Sequence, residues 1–295
     1  MGTGATSSTT TEPHLSRRMW QTLEPYHAMI YFAPEARDAF ATIGLKGYWM
    51  GYFASRAAPL GHVPAEVVTA TFYNFHPRMV ARAIPDAWRF AEPARILAAR
   101  YDAAHAALTR LLGDAAASDD LAEAAALARR AAEACPIIGR PLFASYAALP
   151  WPDLPHLTLW HATTLLREFR GDGHVHALLA SDIDGCEAHI TLSATGRVPR
   201  AALQPQRGWS DDEWTAAEER LRQRGWLDAA GTLTPAGRAA RDAVEARTDE
   251  LAMPPWQAIG SEGCARLHQL AWPLSDRIVT GGGIPIPNPV GISWP

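Results

Sequence analysis

The clearest pattern of apolar and polar positions lies within residues 208–251. Its first part places apolar residues on one side of a helix: Trp214, Ala217 and Leu221. Just before them, Ser210 is followed three residues later by Glu213, which is the capping-box arrangement that begins a helix. Gly225 favours the end of that helix. The pattern predicts an amphipathic helix over residues 210–225.

A wing is predicted directly after this helix. Residues 226–228 and 232–234 have the length and composition of short strands, and Gly231 lies in the turn between them. Pro235 suits the first turn of a second, longer helix. Short helices are predicted upstream at 174–181, 185–193 and 199–206. Together these elements form a winged-helix plan.

An earlier segment repeats this plan at an offset of 135 residues. Gly61-His62-Val63-Pro64 matches Gly196-Arg197-Val198-Pro199. The first match is followed by predicted helices at 65–72, 77–84 and 93–112, without an obvious wing. We therefore predict a mainly α fold of tandem, duplicated winged-helix-like domains, with a short two-stranded wing in the C-terminal copy. Such a chain would be a pseudo-dimer of winged helices.

The predicted organisation has four parts. They are a disordered tail at 1–13, an N-terminal winged-helix-like copy at 14–150, a C-terminal winged-helix domain at 151–260, and a C-terminal helix with a Gly/Pro-rich tail at 261–295. The Gly/Pro-rich tail is expected to lie over the surface or to cap a pocket, and disorder is the alternative.

Composition favours a globular protein of the reducing cytoplasm. The chain of 295 residues is 48% hydrophobic and 20% charged. Its three cysteines lie far apart without a Cys-x-x-Cys pair, so the sequence indicates neither a disulfide framework nor a zinc knuckle. No apolar run approaches the roughly 20 residues that cross a bilayer, and the N-terminus lacks the regions of a secretory signal. We expect no membrane partner, and either a monomer or a homodimer.

Charge argues against DNA as the partner of the winged unit. The net charge of the chain is −4, and residues 208–252 hold six basic and ten acidic side chains. A recognition helix must neutralise phosphates and reach base edges. The helix over 210–225 carries its basic side chains only at its far end. The sequence therefore disfavours DNA binding and favours a scaffold role for this unit.

Aromatic and polar side chains concentrate in the first copy and predict a binding pocket. The candidate ligand-binding residues there are Trp49, Tyr52, Arg56, Asn74, Phe75 and His76. Rings that do not pack internally would suit a planar or aromatic ligand. Packing of the same rings in the core is the alternative.

Histidines supply the second part of the predicted site. Two glycines flank Asp172, which we expect to cap a helix and to place His174 in its first turn. His27 and His161 could meet His174, and such a trio could hold a transition metal or haem. No HExxH spacing with a matching carboxylate supports a metal site, so the sequence favours separate structural histidines over a metal trio.

A family resemblance rests on the end of the winged segment. Leu233, Thr234, Gly237 and Arg238 form a Leu-Thr-x-x-Gly-Arg step that resembles the MarR-like winged-helix families. Longer segments resemble an actinobacterial family of helix-turn-helix proteins: Glu24 to Phe32, Gly51 to Pro59, Phe72 to Phe75, Arg170 to His174 and Trp209 to Leu251. The resemblance implies a winged-helix fold and no particular chemistry.

Three functions remain compatible with the sequence. The preferred one is a small-molecule-binding protein on a repurposed tandem winged-helix scaffold, with an aromatic and histidine-lined pocket between the copies. The second is a ligand-responsive, MarR-like transcription regulator. The third is a haem- or metal-dependent enzyme of specialised metabolism. The sequence assigns no catalytic residue and leaves open whether the protein is an enzyme.

Overall fold

The computed structural model describes residues 12–294 of the chain. This part is mainly helical, as predicted, and contains fifteen α-helices. In chain order they are α1 Glu12–Ala28, α2 Pro34–Thr42, α3 Gly47–Ala57, α4 Ala65–Phe72, α5 Pro77–Ala81, α6 Ala87–Phe90, α7 Pro93–Leu112, α8 Asp119–Glu133, α9 Pro141–Ala147, α10 Pro155–Ala180, α11 Gly185–Ser193, α12 Arg200–Arg207, α13 Asp211–Gln223, α14 Pro235–Leu251 and α15 Pro254–Thr280. The predicted disordered tail at 1–13 lies outside the described residues except where α1 begins at Glu12.

Helix α10 is the element around which the others are arranged. It packs against α1, α7, α8, α9 and α14, while α15 packs on α1 and α8. Its buried side chains include Trp160, Leu165 and Phe169, which belong to the main hydrophobic core. No helix in the described range is both long and apolar enough to cross a membrane.

The helix α13 forms as its sequence predicts. The Ser210 hydroxyl accepts a hydrogen bond from the Glu213 amide, and the Glu213 carboxylate accepts one from the Ser210 amide. The apolar face of α13 packs on α11 in a small separate core: Cys186, Ile190, Trp214, Ala217, Leu221, Leu227 and Leu233. The local signals of a cap and an apolar stripe are therefore sufficient for this helix.

The predicted two-stranded wing is reduced to a turn. Its flanks meet through one antiparallel bridge between Leu227 and Leu233, and residues 12–294 contain no β-strand. The Asp228 carboxylate accepts hydrogen bonds from the amides of Ala230 and Thr232. The Asp228 side chain thus takes the Thr232 amide, while the flanks are joined by main-chain bonds from Asp228 to Thr232 and from Thr234 to Trp226.

The predicted helix break near residue 172 is wrong. Helix α10 continues without interruption from Pro155 to Ala180, so Asp172 does not cap a helix and His174 does not lie in a first turn. Gly173 is instead a site of close packing, because a Cβ atom there would lie 2.5 Å from Nη1 of Arg140. That guanidinium donates to the carbonyl oxygen of Phe169. The glycine accommodates a tertiary contact and does not end the helix.

The two Gly-x-Val-Pro segments share a glycine of positive φ and an extended proline before a helix. Gly61 and Gly196 have φ of 81° and 79°, and each segment is followed by an eight-residue helix, α4 or α12. At the same offset of 135 residues, both helices end in a residue of positive φ, Tyr73 at 57° and Gly208 at 79°. The segments diverge afterwards, since α5 has five residues where the sequence predicted a helix over 77–84.

The chain after α15 is held against the body by its last described residues. The ring of Trp294 stacks on that of Trp272, with centroids 4.4 Å apart, and its Nε1 atom donates to the Asp276 carboxylate. The Asn288 side chain accepts hydrogen bonds from the amides of Val290 and Ile292. We call residues 281–294 the C-terminal tail.

Candidate functional site: a cavity between the two halves

A cavity of about 460 Å³ lies where the two halves of the chain face each other. We call it the central cavity. The N-terminal half contributes Tyr31, Tyr52, Arg56, Phe72, Asn74 and Phe75 to its lining, and α10 contributes Arg167, Glu168, Asp172 and His174. The C-terminal half contributes His189, Arg207, Arg241 and Glu245, and the C-terminal tail contributes Pro289, Val290, Gly291 and Ser293. Its volume is in the range of small-molecule sites.

Arginines outnumber carboxyl groups in the lining of the central cavity. The seven arginines are Arg17, Arg56, Arg167, Arg170, Arg197, Arg207 and Arg241, and the four carboxyl groups are Glu24, Glu168, Asp172 and Glu245. Asp249, just behind the lining, pairs with Arg17 at 2.8 Å. Even with this carboxylate included, the lining carries a net positive charge.

Two arginines and one carboxylate form a buried network of ion pairs centred on Glu168 of α10. Nη2 of Arg56 lies 3.0 and 3.1 Å from the two carboxylate oxygens of Glu168, and Arg167 donates to the same carboxylate at 2.7 Å. Burial would raise the pKa of Glu168, but the two guanidinium groups outweigh it and hold the pKa below its usual value. Glu168 is therefore ionised, and its charge is shared between two arginines.

Two other carboxyl groups of the lining are only partly ionised near neutral pH. Burial raises the pKa of Glu24 and that of Asp172 to about 7, although arginines and hydrogen bonds oppose the shift. Asp172 accepts a hydrogen bond of 2.9 Å from the amide of Phe143. Partial neutralisation of these two acids makes the cavity more positive than a count of its residues indicates.

Arg207 is an arginine of the lining whose guanidinium has no carboxylate partner among the described residues. Its Nη1 and Nη2 atoms donate to the main-chain carbonyls of Gln206 and Pro289, at 3.2 and 2.9 Å. Its Nε atom is buried and has no hydrogen-bond partner within residues 12–294. The guanidinium lies over the ring of Phe75, 4.7 Å from its centroid. Carbonyl dipoles and an aromatic face thus surround this cation, and burial lowers its pKa.

His189 is a lining residue that the sequence did not single out. It is 3% exposed, and its Nε2 atom donates to the carbonyl oxygen of Asn74 at 3.1 Å. Its Nδ1 atom therefore carries a lone pair, which has no partner in the described part of the chain. Burial, and then the charge of Arg207, lowers the pKa of His189 to about 3. The residue is a neutral hydrogen-bond acceptor.

His174 also lines the cavity as a neutral imidazole. Its Nδ1 atom lies 2.9 Å from the hydroxyl of Thr248, which donates its own proton to the carbonyl of Val244. Nδ1 must therefore donate to Thr248, and the Nε2 atom carries the lone pair. Burial lowers the pKa of His174 to about 4, and Arg241 adds to the shift.

The other two histidines of the predicted metal trio lie elsewhere. His27 is saturated in the core, since Nδ1 bonds to Thr164 at 3.0 Å and Nε2 to Tyr31 at 2.8 Å. His161 bonds to the hydroxyl of Tyr101 at 2.6 Å. His27, His161 and His174 therefore do not form a cluster. Each bonds to a hydroxyl group in a different part of the structure. Residues 12–294 contain no group of three potential ligands that could hold a metal ion.

The structure brings six of the ten candidate binding residues into one lining. They are Tyr52, Arg56, Asn74, Phe75, Asp172 and His174. Trp49 instead packs on the rings of Phe53 and Phe75. His76 bonds to Glu213 at 2.8 Å, at the contact between α5 and α13. His27 and His161 lie in the core as described above.

Comparison with known proteins gives the family. The sequence model of a helix-turn-helix family matches residues 16–285, which is most of the chain. The chain belongs to this helix-turn-helix family. No curated protein and no solved structure shows a significant match.

The arginines of α13 in this helix-turn-helix protein are paired with carboxylates. Arg220 lies 2.5 Å from Asp184 and 2.9 Å from Glu187, while Arg222 pairs with Glu218 at 3.3 Å. At the other end of α13, Glu213 is bound by Arg78 of the N-terminal half at 2.8 Å. The basic side chains are thus engaged by carboxylates of the same unit, and the N-terminal end of the helix contacts α5.

Proposed function

We propose that this helix-turn-helix protein binds an anionic small molecule with a planar part in the central cavity. The observation that carries the proposal is the excess of arginine over carboxyl groups in a lining shared by both halves. A buried cation is stable when an anion pairs with it, and arginine is suited to carboxylate and phosphate groups. The ligand would supply the negative charge that the lining lacks.

The aromatic wall supports a planar ligand. Phe75 and Arg207 form a cation–π pair, and the Phe72 ring lies 4.2 Å from the guanidinium carbon of Arg56. A planar anion placed between such groups would gain both ring contact and charge pairing. The lone pairs of His174 and His189 add two acceptors, which suit a hydroxyl or N–H group on the same ligand.

The shared lining also fits a tandem, duplicated winged-helix scaffold of the MarR-like type. Asn74 and Trp209 are equivalent at the 135-residue offset, and the Trp209 indole donates to the Asn74 carbonyl at 3.1 Å. Contacts between equivalent residues are expected beside a two-fold axis. In this proposal the N-terminal copy spans 14–150 and the C-terminal winged-helix domain 151–260. The cavity lies beside their contact, in a protein of the cytoplasm.

Isothermal titration calorimetry with 2-naphthoate and its neutral analogue 2-naphthamide tests the proposal. The acid should bind at least about tenfold more tightly than the amide, because a charged hydrogen bond contributes roughly 1.5–3 kcal/mol. Arg207→Gln should remove this preference. Arg89→Gln is the matched control, since Arg89 is 81% exposed and lies outside the lining. Equal affinity for the acid and the amide would contradict the proposal.

Family membership supports a second candidate, a transcription regulator that uses the central cavity as its sensor. Such a regulator would bind duplex DNA with a steep salt dependence. Given the paired arginines of α13, we expect no mobility shift of duplex DNA at low salt, with or without 2-naphthoate. A shift that disappears between about 50 and 200 mM salt would favour the regulator.

A further inference from the structure

A second, smaller pocket lies on the N-terminal half, between α2, α3 and α7. Its volume is about 200 Å³, and we call it the side pocket. Apolar side chains form most of its wall, including Phe32, Pro34 and Phe40. It shares Tyr31 and Tyr52 with the central cavity, so these two phenol rings separate the two spaces.

Arg100, from α7, is the charged group of the side pocket. The residue is 1% exposed. Its Nη1 atom donates to the hydroxyl of Ser55 at 3.3 Å, whereas Nε and Nη2 have no hydrogen-bond partner among the described residues. The guanidinium carbon lies 5.1 Å from the ring centroid of Trp160 and 5.8 Å from that of Tyr31. This buried cation therefore lies among aromatic rings and hydroxyl groups, without a carboxylate partner among the described residues.

The two free nitrogens of Arg100 are the pair that binds a carboxylate side-on. Nε–H and the outer N–H of Nη2 point in parallel from one edge of the guanidinium plane, and this edge matches the two oxygens of a carboxylate. Arg56, by comparison, has Glu168 within 3.1 Å. Burial lowers the pKa of Arg100, but Tyr146 and Tyr31, the latter also through a side-chain hydrogen bond, outweigh burial and raise the pKa. The group is a cation, and no carboxylate of the described residues pairs with its bidentate edge.

We propose that the side pocket binds a small monocarboxylic acid with a compact apolar body. The carboxylate pairs with Nε and Nη2 of Arg100, and the apolar body lies among Phe32, Pro34 and Phe40. This site is distinct from the central cavity, because a different arginine carries it and the two phenol rings stand between them. A buried arginine without a counter-ion costs stability, and a bound acid removes that cost. The protein would then hold two acidic ligands at once.

Fluorine NMR with 4-fluorobenzoate and 4-fluorobenzamide tests this site on the full chain. The acid should bind about 30-fold more tightly than the amide, which corresponds to one charged bidentate contact. Arg100→Met should lose most of this affinity. Because the substitution removes a buried, unpaired charge, its melting temperature should equal or exceed that of the wild type. Arg89→Gln should bind the acid as the wild type does.

Several results would overturn the assignment. One is equal affinity of the wild-type protein for the acid and the amide, a comparison that needs no variant to fold. Another is undiminished binding of the acid by Arg100→Met. A third is displacement of bound 4-fluorobenzoate by 2-naphthoate together with its loss in Arg207→Gln, which would move the small acid into the central cavity. The first two results say nothing about the binding of 2-naphthoate. The proposal for the side pocket can therefore fail while the proposal for the central cavity stands.

Discussion

The guanidinium of Arg207 donates a hydrogen bond of 2.9 Å to the carbonyl oxygen of Pro289. This bond joins α12 to the C-terminal tail at the edge of the central cavity. The same guanidinium lies over Phe75 of the N-terminal half. The Arg207 side chain therefore connects α12 with the C-terminal tail and with the N-terminal half. A ligand that binds Arg207 would lie next to all three.

The tail should slow the escape of a ligand from the central cavity. Trp294 anchors the tail by stacking on Trp272. An aromatic pair contributes about 0.5–1.5 kcal/mol beyond its buried area, so Trp294→Ala should speed dissociation of 2-naphthoate about fivefold. Stopped-flow fluorescence measures this rate. Trp88→Ala removes a half-buried tryptophan that does not line the cavity and should leave the rate unchanged. Equal rates for both variants would exclude the tail as a barrier.

Glu168 should be essential for stability. Glu168→Gln leaves Arg56 and Arg167 without their common carboxylate. Breaking a buried ion pair on one side typically costs about 3–5 kcal/mol. Glu133→Gln breaks an exposed pair with Arg129 on α8 and should cost at most about 0.5 kcal/mol. Urea denaturation gives both free energies of unfolding. A cost below about 1 kcal/mol for Glu168→Gln would show that the network is not needed.

Asp172 should make stability fall as the pH rises. Its pKa is about 7 in the folded chain, mainly because of burial, against 3.8 for an unperturbed aspartate. Between pH 4 and 7 the folded state therefore holds a proton that the unfolded state has lost, so stabilisation by this proton disappears across that window. Asp172→Asn stays neutral, and its amide oxygen can still accept from Phe143.

The measurement for Asp172 is the free energy of unfolding of both proteins from pH 4 to pH 8. Asp172→Asn should gain stability relative to the wild type as the pH rises, by an amount on the order of 3 kcal/mol. The comparison of variant with wild type cancels Glu24, whose pKa of about 7 gives the same trend. A constant difference over this range would mean that Asp172 titrates normally.

His189 should stay neutral and keep one tautomer through the physiological range. Its proton on Nε2 is fixed by the carbonyl of Asn74, and its pKa is lowered to about 3. Nitrogen-15 NMR of labelled histidine should show the Nε2–H form at every pH between about 5 and 8. Observation of an imidazolium at residue 189 within this range would remove it as a lone-pair donor to a ligand.

Local sequence signals predicted most of the helices but only part of the lining of the cavity. The cap at Ser210 and the apolar stripe of α13 involve neighbours in sequence, so the sequence was sufficient there. Gly173 wrongly predicted a helix break, because the glycine is needed for close packing against Arg140, which is distant in sequence. No pattern within α12 indicates that Arg207 reaches Phe75 and Pro289, since those contacts exist only after the halves meet.

The histidines show the same limit in chemical terms. The sequence identifies an imidazole, but its state depends on the partner of each ring nitrogen. Both ring nitrogens of His27 bond to hydroxyl groups, whereas Nδ1 of His189 has no partner among residues 12–294. The only sequence feature near His189 is the Asp184 and Glu187 capping box of α11, which predicts the helix and not the lone pair.

The most direct test of the central claim is a crystal structure of the protein with 6-bromo-2-naphthoate, located by the anomalous signal of bromine. We expect one bromine peak in the central cavity, with the carboxylate within hydrogen-bond distance of Arg207 and the rings against Phe75. A bromine peak only at the protein surface, or none at a ligand concentration that saturates the calorimetric signal, would contradict it.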